Sequence, residues 1–85
     1  MNEIEQWTFT PIRDVKDITP AIVDMVVEIL SGWYPEGKID WDDVWDRMED
    51  MPMENGSHLD LGCNKQSLAL KALKGRATKQ FKEGL

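Results

Sequence analysis

The stretch from Ile22 to Leu30 constrains this chain most, because Ile22, Val23, Met25, Val26, Val27, Ile29 and Leu30 are interrupted only by Asp24 and Glu28. On a 3.6-residue period Asp24, Glu28 and Ser31 fall on one narrow polar stripe, so a helix here must be enclosed on most of its sides. Its start is clearly marked. Thr19 is a good N-cap, and Pro20 stands at the first helical position, where a missing N–H costs nothing. Gly32 is the expected stop. The sequence therefore predicts a central helix over residues 19–31. Its valines have only middling helix propensity, so packing rather than local preference has to hold it.

The rest of the chain must cover that helix. Asp40 caps a second helix over residues 40–51, with Asp43 three residues on and Ile39 and Val44 placed as a hydrophobic staple. Trp41, Val44, Trp45, Met48 and Met51 make its apolar face; Asp42, Asp43, Asp46, Glu49 and Asp50 make the other, and Pro52 ends it. Asn64 is the expected cap of a third helix over residues 64–83, with Leu70, Leu73, Ala77 and Phe81 facing inward and Gly84 as its stop. Gly75 in its middle costs about 1 kcal/mol relative to Ala, which points to a bend or a close contact there. Period-two alternation over residues 4–11 reads as a strand that ends at Pro11, and residues 58–61 read as a second. The two are expected to pair as a ribbon, with Trp7, Phe9, Leu59 and Leu61 turned toward the helices. The predicted fold class is α+β, mainly α: three helices and a two-stranded ribbon in one domain, since 85 residues leave no room for a second.

Charge is unevenly spread. Residues 1–63 carry Arg13, Lys16, Lys38 and Arg47 against fifteen carboxylates, a balance of −11, whereas residues 64–85 carry six cations against Glu83, a balance of +5. Either the basic segment packs beside the acidic body, or each faces a different partner. No run of 18 apolar residues is present, and the opening segment is acidic rather than a basic leader. Together with a lone cysteine, Cys63, this predicts a cytoplasmic protein without a membrane partner.

Catalytic and metal chemistry find little to stand on. Counting a calcium loop from Asp40 puts Val44 at the fifth position and Trp45 where glycine is needed. One His and one Cys fall short of a zinc site, and a His58–Cys63 nucleophilic pair lacks an orienting group and an oxyanion hole. No enzyme activity, cofactor or metal is expected. Four tryptophans in so short a chain are more informative: Trp7, Trp41 and Trp45 are candidates for the core, and Trp33 and Tyr34, in a turn beside Pro35, are candidate partner anchors.

The segment Ser31-Gly32-Trp33-Tyr34-Pro35-Glu36-Gly37-Lys38-Ile39-Asp40-Trp41-Asp42-Asp43-Val44-Trp45-Asp46-Arg47 resembles the small acidic accessory proteins of bacteriophages and bacterial mobile elements. That resemblance implies cytoplasmic action in a host, often through binding a host protein, and transfers no functional residues. The length, acidity and final Phe81-Lys82-Glu83-Gly84 are also similar to nuclease-colicin immunity proteins, although the tyrosine pair and following proline of that family are absent here. The leading expectation is a non-catalytic protein-binding module, a modulator or inhibitor whose Trp33, Tyr34, Asp42, Asp43, Asp46, Glu49 and Asp50 meet a basic surface. The alternative is a nucleic-acid-binding or regulatory module led by Lys71, Lys74, Arg76, Lys79 and Lys82. A third reading is a homodimer that buries Met48, Met51 and Met53.

Overall fold

The computed structural model describes residues 8–53 and 56–84. They form an α+β, mainly α fold in the order β1 (Phe9–Pro11), α1 (Pro20–Trp33), α2 (Trp41–Asp50), β2 (His58–Asp60) and α3 (Leu68–Glu83), with a 3-10 turn at Val15–Asp17 between β1 and α1. Helix α1 packs against both α2 and α3, as its apolar circumference requires, and buries Ile22, Val23, Val26, Ile29 and Leu30. Met25 and Val27 are only half-buried at the edges of that face.

Each helix begins where a side chain can satisfy its free N–H groups. Thr19 accepts from Ile22 N, and Asp40 accepts from Asp42 N and Asp43 N. Two expected boundaries move. Helix α1 runs through Gly32 to Trp33 and ends at Tyr34, because Pro35 disfavours helical geometry at the residue before it; Gly32 is an interior residue and not the stop. Helix α3 begins at Leu68 and not at Asn64. Asn64 turns its Oδ1 onto Gln66 N at 2.9 Å, which closes a local turn, and Ser67 takes over as the cap by accepting from Leu70 N. Gly75 makes no close contact: a Cβ built there would meet nothing within 4 Å.

The two strands pair, and they pair in parallel, with Phe9 opposite His58, Thr10 opposite Leu59 and Pro11 opposite Asp60. Two helices lie between them in sequence, which supplies the long crossover that parallel strands need. This register corrects the expected inward face. Thr10 and Leu59 share the core side, so Phe9 points outward and is 59% exposed, while Ile12, two residues after Thr10, is 1% exposed. Leu59 and Leu61 are buried as expected. Trp7 and the rest of residues 4–7 lie outside the described residues. Ser57, buried beside the ribbon, joins Thr10 through a 2.7 Å hydroxyl pair and also donates to Thr8 O. Asp14 and Asp17 cap the 3-10 turn reciprocally, and Arg13 grips Asp60 through its carbonyl and its carboxylate.

The expected fates of the large side chains divide. Trp45 is 3% exposed and Trp41 half-buried, their rings tilted at a centroid separation of 5.3 Å. Met48 is fully buried and is therefore no part of an outer methionine surface. Met51 and Met53 are half-buried and line a shallow recess with Met25, between the acidic groups Asp24 and Glu28 of α1 and Pro52.

Candidate protein-docking surface

The end of α1 and the beginning of α2 build one side-chain cluster. Extension of α1 by two residues carries Trp33 and Tyr34 to its C-terminus, where both meet the face of α2 that holds Asp43 and Arg47. Asp43 and Arg47 are four residues apart, one helical turn, and Arg47 Nε donates to Asp43 Oδ2 at 2.7 Å. The Tyr34 hydroxyl donates to the same carboxylate oxygen. The Arg47 guanidinium lies over the Trp33 ring with its Cζ 3.6 Å from the centroid, a cation–π stacking between the two side chains.

These contacts set the local electrostatics. Donation from Tyr34, and then from Arg47, holds the Asp43 carboxyl below the ordinary carboxylate range. The same hydrogen bond pushes the Tyr34 hydroxyl up, because losing its proton would set two negative oxygens side by side. Asp43, Tyr34 and Arg47 thus keep each other in one arrangement, and Trp33 rests on it while remaining 60% exposed. An exposed indole whose ring is already immobilised loses little freedom on meeting a partner.

Next to this anchor runs a stripe of carboxylates. Asp42, Asp46 and Asp50 recur every fourth residue on α2, all exposed, and among the described residues none of the three is in an ion pair. Glu49 belongs elsewhere. Its Oε2 accepts from Leu61 N at 3.0 Å and lies 3.7 Å from Lys65 Nζ, so it ties α2 to the segment after β2. The Glu49 carbonyl also lies 3.0 Å from His58 Nδ1; a carbonyl only accepts, so Nδ1 carries the proton in this contact. The seven residues named from sequence therefore separate into an outward set of Trp33, Asp42, Asp46 and Asp50, a bracing pair of Tyr34 and Asp43, and the structural Glu49. Arg47 was missing from that set. The signal that could have found it was its spacing from Asp43.

Helix α3 carries Lys71, Lys74, Arg76, Lys79 and Lys82, all exposed, and among the described residues none forms an ion pair. The basic segment meets the acidic body at Lys65–Glu49, and Lys74 Nζ lies 5.4 Å from the centroid of Trp41. Gln80 donates to Asp24 at 2.8 Å and joins α3 to the polar stripe of α1. Cys63 is exposed and free. Among the described residues no group of three His, Cys, Asp or Glu side chains is placed to hold a metal ion, and no helix is long and apolar enough to cross a membrane. No protein-family model, curated protein or solved structure matches this chain.

Proposed function

We propose that this chain is a non-catalytic binding module that docks on a basic surface of another protein through Trp33 and the Asp42, Asp46 and Asp50 stripe, and modulates or blocks that surface. The observation that carries this reading is the braced tryptophan: its ring is exposed, yet it is held from below by an arginine that is itself fixed to Asp43. Large aromatic side chains in such settings dominate binding energy, and the flanking charges steer encounter and select the partner. Cytoplasmic action belongs to the same proposal, since an exposed thiol such as that of Cys63 stays reduced there.

The test is affinity capture from a nuclease-treated lysate of the source cell, with the wild-type chain, Trp33→Ala and the triple variant Asp42→Lys, Asp46→Lys, Asp50→Lys run in parallel and the retained proteins identified by mass spectrometry. A stoichiometric protein held by the wild type and lost from both variants is the expected result. A protein retained equally by all three, or none retained by the wild type, overturns the reading.

A further inference from the structure

Helix α3 presents a second surface of opposite sign, and its layout is narrower than its composition suggests. At about 100° per residue, Lys71, Gly75, Thr78, Lys79 and Lys82 fall within about a third of the helix circumference, with Lys74 at one edge. Together they line a single shallow depression. Arg76 is not part of its lining and lies about 60° beyond Lys79 and roughly 120° around the helix from Lys82, and Gln80, bonded to Asp24, lies nearly opposite. The acidic stripe of α1 therefore sits behind α3 and away from the lysine face. From Lys71 to Lys82 the face is about 16 Å long, the axial length of roughly five phosphates along one strand of a duplex.

We infer that this lysine face binds the phosphate backbone of duplex DNA without reading its sequence. Two observations favour that occupant over an acidic protein or a second copy of the chain, and two more define the form of nucleic acid and the kind of contact. Lysine is depleted in protein–protein interfaces, and from Lys71 to Lys82 this face holds four lysines with no aromatic or large aliphatic anchor. Leu68, one turn before Lys71, is the exposed large apolar residue of this helix. Gly75 weakens the helix and packs against nothing, and its bare backbone lets a phosphate settle between the lysine stems beside the Thr78 hydroxyl. Among the described residues the ring beside this face is Trp41, which is half-buried with Lys74 Nζ over it at 5.4 Å and so offers no open platform for unpaired bases, which favours a duplex over a single strand. The face also lacks Arg, Asn and Gln, and its lysines are flexible point charges without a planar fork, which favours contact with phosphates over reading of base edges.

This inference is independent of the protein-docking reading, which uses α2. Its test is fluorescence anisotropy of a labelled DNA duplex of about 20 base pairs titrated with the full chain. At about 150 mM salt the expected dissociation constant lies between about 1 and 100 µM, and four neutralised phosphates make it on the order of 100-fold weaker at 200 mM than at 50 mM. Lys79→Gln and Lys82→Gln each weaken binding several-fold and flatten the salt slope by about 0.9, whereas Arg76→Gln, which removes the same charge from outside the face, changes affinity by less than about two-fold. Lys79→Arg restores binding, which separates lost charge from lost helix. Absence of binding by the wild type at about 100 µM overturns the inference. So does equal weakening by Arg76→Gln and Lys79→Gln, a tighter complex with the single-stranded oligonucleotide, or light scattering that shows lysine-dependent self-association in place of DNA binding.

Discussion

The pairing of β1 with β2 makes opposite demands on two neighbouring apolar residues, and truncating each in turn is a direct test of the fold. Ile12 is 1% exposed and belongs to the core cluster; Phe9 is 59% exposed. Removing three buried carbons at Ile12 loses their transfer free energy and leaves a cavity that the rest of the core cluster fills only in part, so Ile12→Ala costs about 2–4 kcal/mol. Phe9→Ala costs about 0.5 kcal/mol or less, since most of the ring already faces water. A domain of this size has a total stability of roughly 4–13 kcal/mol, so the first change removes a large fraction of it. The assay is equilibrium urea unfolding followed by tryptophan fluorescence, with Trp45 as the buried reporter. With a slope of about 1.5 kcal/mol per molar, the midpoint drops by roughly 1.3–2.7 M for Ile12→Ala and by less than about 0.4 M for Phe9→Ala. A larger loss for Phe9→Ala than for Ile12→Ala would refute the register and, with it, the inward face of the ribbon.

Four further outcomes are expected. Glu49→Ala leaves the Leu61 N–H without its carboxylate acceptor and costs about 1–2 kcal/mol in the same unfolding assay. Gly32→Ala and Gly75→Ala each raise stability by about 0.5–1 kcal/mol, because both glycines are helical and neither new methyl meets an atom within 4 Å. The depressed carboxyls of Asp17, Asp43 and Asp60 contribute stability that is fully present above the unfolded value near 3.9 and is lost as pH falls through their lower folded values. Stability is therefore flat from neutral pH to about 5 and declines below about 4, less steeply in Asp43→Asn. Tyr34 is the one tyrosine of the chain, so tyrosinate absorbance follows it alone; its titration lies above about 10 and moves down in Asp43→Asn.

The helices were legible in the sequence because local chemistry and periodicity agree there. Thr19-Pro20 and Asp40 mark their starts without help from the rest of the fold, and the apolar residues of α2 fall on one face. Boundaries moved where two local signals competed: Asn64 against Ser67 as a cap, and Gly32 against Pro35 as a stop. The ribbon was harder, since alternation over residues 4–11 gives period but not phase. Phe9 is the more obvious core residue by size, and pairing with residues far away in the chain selects Ile12 in its place. At the docking surface, Trp33 and the α2 carboxylates stood out by type alone. The bracing contacts did not, because Tyr34 reaches Asp43 only when α1 continues past Gly32 and turns into α2. The lysine face was visible as composition, and only the continuous helix from Leu68 to Glu83 separates Arg76 from the rest.

The central claim is that Trp33 anchors a protein complex, and the measurement that tests it most directly is calorimetric titration of the captured partner with the wild-type chain and with Trp33→Ala. A hot-spot anchor contributes about 2 kcal/mol or more, so the account predicts that affinity for Trp33→Ala falls by about 30-fold or more while the fold is retained. An affinity unchanged within about two-fold would contradict it.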